Sequence, residues 1–573
     1  MEENIRLAYR NLKKNSGSMT AGVDGKTIED IKSLKESAVI SEVRKKLDDY
    51  KPQSVRRVFI PKSNGKQRPL GIPTIWDRLI QQCILQVLEP ICEPKFHNHS
   101  YGFRPNRGSH HAISRCVSMI NMYKHYYCVD IDIKGFFDNV NHGKLLKQLW
   151  TLGIRDKRLI CIISKILKSE IKGEGIPTKG TPQGGIISPL LSLVVLNELD
   201  WWISNQWETY IPNGVRNGKN RGSKGWYQYA KNYTKMKDGY IIRYADDFKI
   251  MCRTYHEAQR YYHATVKFLS KRLKLDISPE KSKVVNMKRN SSQFLGFKIK
   301  VVPKGNTRYG YIAKTDMSLK SIKNAKKNLK DRIKKIQHNT TVDNICNYNS
   351  TILGIHNYYN IATNIYNNMS DISYSLLAPI RIRLKSISKT IPFSQTDKEF
   401  KSKTVGIRDD SSIVVIGEMP LLPIRGVHHR NPMNFSQNIC NYTVEGRAKI
   451  HKENKYVTRE ERLIITANRN RNETIEFNDN CLSALSSQRG KCYILGEKVN
   501  PNEIICIRKK SKEFGGNDTY RNIALIHEKT IDLLKTTEND ILIKLKSEFN
   551  LKGKQLKKIN EIRIINGLMP ISN

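Results

Sequence analysis

Two adjacent aspartates, Asp246 and Asp247, lie at the centre of an apolar stretch, IIRYADDFKIM at 241–251. The apolar residues on either side are typical of two β-strands, so the aspartates fall in the turn between them. Neighbouring carboxylates repel each other unless a positive charge lies close to both. The pattern therefore predicts a strand–turn–strand element whose tip binds a metal ion. The alternative is an ordinary acidic β-turn.

A second predicted strand carries two further carboxylates. In YYCVDIDIKGFFDNV at 126–140, Asp130 and Asp132 are two residues apart, so a strand directs both to one face. Three carboxylates from two neighbouring strands are able to hold two Mg²⁺ ions about 3.5–4 Å apart, an arrangement that serves in-line phosphoryl transfer. The two segments together predict a magnesium site for that chemistry.

The charge of the chain indicates a polyanionic partner. Its 573 residues contain 99 Lys and Arg against 53 Asp and Glu, a net charge of +46. Such a surplus repels itself in a compact protein, and nucleic acid neutralises it while releasing its own counterions. With 26 Tyr and 15 Phe the chain has enough large side chains for sizeable cores, which excludes a disordered protein. We expect a multi-domain, nucleic-acid-binding protein.

The cysteines and the apolar runs constrain the compartment. The 11 cysteines are scattered, with no CxxC pair and an odd total, which favours a reducing compartment over a disulfide framework. The most apolar run, at 186–196, is shorter than the roughly 18 residues of a membrane span, and the N-terminus has no secretory signal core. We expect no membrane partner and a cytoplasmic protein, or an organellar one in the matrix or stroma.

The pattern of elements changes along the chain. Helical and strand patterns alternate up to about residue 310, helical patterns follow, and a Pro- and Gly-punctuated segment at 418–434 is typical of a linker. The basic stretch 206–239 has loop composition and predicts an exposed insertion. We predict an α+β multi-domain chain with domains at 1–310, 311–430 and 431–573.

An amphipathic helix is predicted over 319–336. Its apolar stripe consists of Leu319, Ile322, Leu329, Ile333 and Ile336. A separate basic row at steps of three and four consists of Lys320, Lys323, Lys327, Lys330 and Lys334. The lysine row either is a solvated helix face or contacts the phosphates of RNA.

Eight blocks in one order resemble the group II intron-encoded reverse transcriptases and maturases. The blocks are NSGSMTAGVDGKTIED, RRVFIPKSNGKQRPLGIPTIWDRLIQ, SYGFRPNRGSHHAI, DIDIKGFFDNVNH, GTPQGGIISPLLSLVVLNELD, YADD, LKLDISPEKSKVV and FLGFKI. The resemblance implies a right-hand polymerase, with fingers and palm up to residue 310 and a thumb and maturase domain to about 430. It also implies that Asp132, Asp246 and Asp247 are the catalytic triad that binds two Mg²⁺ ions, with Asp130 as a neighbour.

The same resemblance assigns a nucleotide pocket. Lys62 and Arg68 match the positions that grip the triphosphate of an incoming dNTP, a role suited to an ammonium and a guanidinium. Gln183 matches a residue that lines the pocket. One of Phe136 and Phe137 is expected under the deoxyribose, where a ring excludes a 2′-hydroxyl.

The helical region contains LGIHNYYNIA at 353–362, which resembles the maturase domain of the family. There Tyr358 and Tyr359 either contact RNA or pack between helices. The SPEKS and FLGF segments, at 278–282 and 294–297, are expected to support the palm and the primer without taking part in chemistry.

The C-terminal segment 489–536 resembles a small ββα-type HNH endonuclease in outline, with a Gly515–Asp518 turn followed by Tyr520 and Asn522. The positions that match the nuclease histidines carry other residues: Ile507, Arg508, Ile531 and Lys535. Ile and Arg neither bind a divalent cation nor accept a proton at neutral pH, and His527 is four residues out of place. Cys492 lacks the second cysteine of a zinc pair, so we expect an inactive nuclease-like domain without zinc.

The combined prediction is a reverse transcriptase and maturase. Its expected partners are its group II intron RNA, an RNA template with a DNA primer, target DNA and a second copy of the chain as a homodimer. Two alternatives stay open. One is a splicing cofactor with a relic polymerase site, and the other is a host-adopted reverse transcriptase that serves repair or phage defence.

Overall fold

The computed structural model describes residues 2–61, 67–209, 234, 236–404, 406–450 and 456–571. Contacts divide the chain into two compact units. The first unit comprises Met1–Pro94, Leu149–Leu191 and Asn438–Asn573, and the second comprises Lys95–Gln148 and Ser192–Gln437. The predicted functional boundaries at residues 310 and 430 stay a prediction. The predicted basic insertion lies mostly outside the described residues.

Among the described residues, short strands form five antiparallel sheets, in the orders β1-β2, β4-β5-β3-β6, β7-β8-β9, β10-β11-β12 and β13-β14. The strands are β1 (Arg56–Pro61), β2 (Gln67–Ile72), β3 (Tyr127–Ile131), β4 (Gly239–Tyr244), β5 (Asp247–Cys252), β6 (Lys283–Asn286), β7 (Ser292–Phe294), β8 (Phe297–Pro303), β9 (Tyr311–Met317), β10 (Lys389–Pro392), β11 (Ser412–Ile416), β12 (Met419–Pro420), β13 (Ile504–Arg508) and β14 (Ile523–His527).

The first unit joins the two ends of the chain. Its α-helices are Glu2–Lys13, Ile28–Lys32, Glu36–Asp48, Ile75–Cys92, Lys157–Leu167, Val444–Ile450, Arg459–Ala467, Ile475–Ser487, Ile531–Lys535, Asn539–Glu548 and Gly553–Ile565. Glu476, only 3% exposed, accepts a hydrogen bond from the Tyr9 hydroxyl at 2.7 Å and pairs with Lys13 at 2.8 Å. The C-terminal segment is thus packed on the N-terminal helix.

The second unit contains the sheet with the candidate catalytic residues. Its α-helices are Ser109–Tyr123, Phe136–Asn139, Tyr255–Phe268, Leu319–His338, Val342–Tyr359, Ile365–Leu384 and Lys398–Ser402. Two further helices, His142–Thr151 and Ser188–Ser204, begin in one unit and end in the other, because the boundaries between the units fall within them. This confirms the predicted mixture of helices and sheets.

The long helices follow the predicted periodicity with two differences. In Leu319–His338 the buried stripe is Ala325, Leu329, Ile333 and Ile336, whereas Leu319 is 69% exposed because it lies in the first turn, beyond the packed face. The helical region that follows is not continuous, because the helix Val342–Tyr359 ends before a new helix, Ile365–Leu384, begins.

The segment 418–434, predicted as a linker, is instead packed in the second unit. Leu421, Leu422 and Val427 are buried, and the Asn349 side chain accepts a hydrogen bond from the Leu422 amide at 2.8 Å. Pro and Gly end regular structure there, but they do not prevent apolar neighbours from packing.

One disulfide joins Cys481 in the helix Ile475–Ser487 to Cys506 in β13, where the sequence analysis expects no disulfide framework. The two cysteines are 25 residues apart and meet because that helix packs beside the β13-β14 sheet. Among the described residues, no helix is both long and apolar enough for a membrane span.

Candidate active site

The hairpin of β4 and β5 carries the paired aspartates. The strands pair from Gly239 and Cys252 to Tyr244 and Asp247, which leaves Ala245 and Asp246 as a two-residue turn. Ala245 has a φ of 59°, an uncommon left-handed conformation for a residue with a Cβ. The predicted strand–turn–strand element is confirmed. Contacts with neighbouring segments of the unit must stabilise the left-handed backbone conformation of Ala245 in its turn.

A neighbouring chain segment packs directly against this turn. The Tyr101 amide donates to the Arg243 carbonyl at 2.8 Å, so the segment runs beside β4. A Cβ on Gly102 would lie 2.3 Å from the Ala245 nitrogen, closer than real contacts allow. Glycine is therefore required where SYGFRP meets the aspartate turn.

A buried ion pair holds the turn from the other side. Arg243 and Asp200 are each about 1% exposed in their side chains, and the Arg243 guanidinium donates to both Asp200 oxygens at 2.5–3.0 Å. Its Nη1 also donates to the Ala245 carbonyl at 2.8 Å. The guanidinium therefore fixes the main chain of the residue that precedes the paired aspartates.

Asp132 lies just beyond the end of strand β3. Strand β3 pairs with β5 up to Ile131 and Phe248, and Asp132 and Asp247 are the residues that come next at that end of the two strands. The segment 278–282 binds Asp132 at several points. Ser282 Oγ accepts from the Asp132 amide at 3.1 Å, and Lys281 Nζ lies 3.0 Å from Asp132 Oδ2.

Asp130 is held by a different cation. The Lys249 side chain is 3% exposed, and its Nζ donates to Asp130 Oδ1 at 2.6 Å and to Ser292 Oγ at 2.7 Å. Ser292 Oγ in turn donates to Asp130 Oδ2 at 2.9 Å. The Asp130 carboxylate is thus satisfied inside the protein, which is consistent with the choice of Asp132 for the triad.

One cavity of about 790 Å³ joins these groups. Asp130, Asp132 and Asp247 line it together with Lys281, and Lys320 of the predicted lysine row lines it too. Both aspartates of the DID sequence therefore face one space, as the two-residue spacing predicts.

The electrostatics of the cavity favour a cation. Asp247 is exposed to the cavity, but the protein packed around it limits the hydration of its carboxyl, and the carboxylates of Asp130, Asp246 and Asp132 add repulsion. These effects, opposed by Lys249, raise the pKa of Asp247 to about 6. Carboxylate oxygens are the ligands that Mg²⁺ prefers. The donor chemistry fits magnesium, although no three such side chains of the described residues converge on one point as they stand.

The predicted nucleotide-pocket residues lie in both units. In the first unit, Arg68 is exposed on β2 opposite Ile60, and the Gln183 carbonyl accepts from the Gly71 amide of the same strand at 2.7 Å. Lys62 lies outside the described residues. In the second unit, Phe136 is 2% exposed, whereas Phe137 is partly exposed beside Phe103.

The predicted RNA-contact residues divide into exposed and packed groups. The five lysines of the row on Leu319–His338 are exposed: Lys320, Lys323, Lys327, Lys330 and Lys334. Tyr358 stacks on Phe297 at 5.7 Å and Tyr359 lies 5.1 Å from the same ring. Both tyrosines therefore pack on the FLGF segment, the packing alternative of the sequence analysis, and Tyr358 keeps 37% exposure.

The residues at the nuclease positions take structural roles. Arg508 pairs with Glu473 at 2.5 Å and with Asp518 at 2.6 Å. The Asn522 side chain donates to the carbonyls of Lys510 and Asn517 and closes the loop between β13 and β14. Ile507 lies in β13, and the helix Ile531–Lys535 carries the last two positions.

Sequence reasoning missed the residues that position the carboxylates. The Arg243–Asp200 pair, Gly102, Lys249 and Lys281 act on the turn and on the DID segment through long-range contacts. Asp200, Gly102 and Lys281 belong to the ordered blocks, and Arg243 and Lys249 lie close to YADD. A sequence motif does not reveal which of its side chains are in contact.

Comparisons with known proteins show the family to which the chain belongs. A family model described as reverse transcriptase (RNA-dependent DNA polymerase) matches residues 60–299. Protein YkfC of Escherichia coli K12 is 32% identical over 315 residues, 51% of this chain and 78% of that protein. The group II intron-encoded protein LtrA of Lactococcus lactis subsp. cremoris is 31% identical over 449 residues, 67% of this chain and 74% of LtrA.

A nuclear intron maturase 2, mitochondrial, of Arabidopsis thaliana is 24% identical over 233 residues, 32% of this chain and 31% of that protein. The matches to the family model and to LtrA make the chain a reverse transcriptase, an RNA-directed DNA polymerase. It belongs to the family of group II intron-encoded proteins. The predicted enzyme class is thereby confirmed.

Proposed function

We propose that this protein binds its group II intron RNA, assists splicing of that RNA, and copies RNA into cDNA by two-metal nucleotidyl transfer. The observation that carries the proposal is the cavity that Asp132 and Asp247 line together. A row of exposed lysines begins at its edge with Lys320. An acidic centre beside a basic helix suits a nucleic-acid end and its phosphates.

The chemistry is transfer of a nucleotide to a primer 3′-hydroxyl. Asp132, Asp246 and Asp247 would hold Mg²⁺, which eases loss of the hydroxyl proton and stabilises charge on the departing pyrophosphate. The chain itself keeps the aspartate turn in place through Arg243 and Gly102, so the carboxylates need little reorganisation when substrate arrives. Asp130 stays with Lys249 as a fixed neighbour.

The nucleotide is held by residues that the family resemblance assigns. Lys62 and Arg68 would neutralise the triphosphate, and Gln183 would line the base and sugar pocket. Since Phe136 is in the core, Phe137 is the ring available to exclude a 2′-hydroxyl. Intron RNA would lie along the exposed lysines of Leu319–His338, while Tyr358 and Tyr359 support the β7-β8 turn beneath it.

RNA-templated primer extension tests the enzymatic part of the proposal. The wild-type protein, an RNA template, a DNA primer, dNTPs and Mg²⁺ are expected to yield full-length cDNA, and chelation of the metal is expected to stop synthesis. An inactive wild type would favour the splicing cofactor with a relic site. A splicing assay on the flanking RNA at low Mg²⁺ distinguishes the proposed maturase from the host-adopted reverse transcriptase. The host-adopted enzyme would extend primers but would have no effect on splicing.

The C-terminal segment is proposed to have lost nuclease activity. Its strand–strand–helix order of β13, β14 and Ile531–Lys535 supports a nuclease-like ancestry, but the Arg508 guanidinium is engaged by Glu473 and Asp518. Supercoiled plasmid incubated with the protein and Mg²⁺, Mn²⁺ or Zn²⁺ is expected to stay uncut. Nicked or linear product above that of a heat-inactivated sample would contradict the claim.

A further inference from the structure

A group of aromatic and cationic side chains lies at the end of the catalytic sheet that is remote from the carboxylates. We call it the tyrosine–lysine patch, and it consists of Lys124, Tyr126, Lys288, Arg308, Tyr309 and Tyr311. Tyr126 precedes β3 directly, and Asp132 follows the other end of that strand. At about 3.3 Å per residue the patch is roughly 20 Å from Asp132. It is therefore separate from the catalytic cavity.

The cations of the patch are held over tyrosine rings. Lys288 Nζ lies 3.7 Å from the ring centroid of Tyr311 and 4.7 Å from that of Tyr126. Lys124 Nζ lies 4.4 Å from the centroid of Tyr309, and the Arg308 guanidinium lies 5.1 Å from it. Cation–π contacts of this kind fix flexible side chains in place. The ammonium groups are thus ordered at the surface before any ligand arrives.

Within the part of the chain that the structure describes, no acidic side chain pairs with these cations. The three segments that form the patch, 121–127, 286–289 and 304–311, contain five Lys or Arg and no Asp or Glu. Among the ion pairs between described residues, none involves Lys124, Lys288 or Arg308, and all three are exposed. Structural lysines and arginines of this chain, such as Lys249 and Arg243, pair with carboxylates instead. The charge of the patch is therefore free to meet an anionic partner.

The patch also has an unsatisfied polar atom. The hydroxyl of Tyr126 is buried and has no hydrogen-bond partner among the described residues. Buried hydroxyls are nearly always hydrogen-bonded. Because that hydroxyl is buried, a surface ligand does not reach it, and the features that point to a partner are the partly exposed rings of Tyr309 and Tyr311 and the cations beside them. They indicate a partner with flat faces and negative charge.

We propose that the tyrosine–lysine patch binds single-stranded nucleic acid outside the polymerase cavity. Lys124, Lys288 and Arg308 would neutralise phosphates, and unpaired bases would stack on Tyr309 and Tyr311. Stacking platforms interleaved with cations bind single strands because every base has a π-face, whereas a duplex hides its bases from such rings. An acidic protein would satisfy the charges but would leave the exposed rings without a role.

The test compares two charge-matched variants in the full-length protein. Lys124→Ala/Lys288→Ala removes two cations of the patch, and Lys267→Ala/Lys271→Ala removes two exposed lysines elsewhere in the same unit. Fluorescence anisotropy with a 20-nucleotide RNA strand, titrated at several salt concentrations, reports affinity. For the patch variant we expect a salt slope flatter by about 1.4, the value for two phosphate contacts of a single strand. For the control variant we expect the salt slope to change by less than half of that value.

A second variant measures the contribution of base stacking to RNA binding. Tyr309→Leu keeps the charge and is expected to weaken RNA binding about tenfold, while ultraviolet crosslinking of the wild type should modify peptides that contain Tyr309 or Tyr311. The same anisotropy titrations are carried out with single-stranded DNA of the same sequence and with double-stranded RNA. If the patch variants lose affinity equally for RNA and DNA, the patch binds single strands of both RNA and DNA. If they lose affinity for RNA alone, the patch binds RNA. Unchanged affinity in both patch variants, or equal duplex binding without crosslinks, overturns the proposal.

Primer extension keeps this result distinct from the proposed polymerase function. Because the patch is remote from Asp132 and Asp247, Tyr309→Leu is expected to extend a short template–primer at the wild-type rate. A polymerase that is inactive in the wild type would refute the enzymatic proposal without changing the binding data. Thermal unfolding of each variant checks that the fold is retained.

Discussion

RNA-templated DNA synthesis is expected to fall about a thousandfold when Asp247 is replaced by asparagine. Metal-ion stabilisation of a phosphoryl-transfer transition state is worth several kcal/mol, and each 1.36 kcal/mol corresponds to a factor of ten in rate. Asparagine preserves the size of the side chain but removes the negative charge that would hold the ion in the cavity shared with Asp132. Single-turnover extension of a labelled primer measures the effect.

The matched control for this experiment is Asp276→Asn. Asp276 is exposed in the same unit, and the contact that the structure describes for it is made by its main-chain carbonyl, which accepts from the Lys134 amide at 2.8 Å. The control variant is expected to extend primers at the wild-type rate. If Asp247→Asn keeps more than a tenth of the wild-type rate while its thermal unfolding is unchanged, Asp247 does not belong to the catalytic set. The same assay on Asp132→Asn and Asp130→Asn then identifies the correct carboxylates.

Loss of the buried partner of Arg243 is expected to have the largest effect on stability. Asp200→Ala leaves a buried guanidinium without its carboxylate, and breaking such a pair costs about 3–5 kcal/mol. It also releases the side chain that donates to the Ala245 carbonyl at 2.8 Å. We expect a lower denaturant midpoint and a strong loss of primer extension. Chemical denaturation followed by fluorescence measures the first effect.

A double variant separates support of the fold from positioning of the turn. Asp200→Leu/Arg243→Met replaces the pair by apolar side chains, which often restores stability, but it provides no donor for Ala245. It is expected to unfold near the wild-type midpoint while extension stays low. Recovery of both properties would contradict a positioning role for Arg243. Asp48→Ala, which breaks a largely exposed pair with Arg158, serves as the control and is expected to change neither property.

The local elements around the site were predictable because each carries its own pattern. Apolar half-strands on both sides of Asp246 and Asp247 require a hairpin, and β4 and β5 form it. The helix Leu319–His338 covers the amphipathic pattern predicted at 319–336. The alternation of apolar and polar residues and the helical spacing of apolar residues are local properties of the sequence. They predict strands and helices without knowledge of the rest of the chain.

The choice between neighbouring residues was less predictable. Asp130 and Asp132 both face the cavity, and the sequence alone does not say that Lys249 and Ser292 satisfy Asp130. Tyr358 and Tyr359 could be placed on a helix but not against Phe297, which is about 60 residues away in the chain. Segment 418–434 has the composition of a linker, yet its apolar side chains are buried. In each case a partner distant in the sequence decides the outcome.

The amino-acid sequence by itself determined the class of this protein: the ordered blocks, the DID and YADD aspartates and the positive charge point to a reverse transcriptase of the group II intron family. Only the tertiary structure decided which groups hold those aspartates, namely Arg243 with Asp200, Gly102 and Lys281. It also decided that Arg508 is neutralised internally and that a tyrosine–lysine patch forms from three separate segments. The physical reason is that catalytic side chains are recognised by type and spacing, whereas burial, ion pairing and close backbone approach depend on contacts that only the folded chain creates.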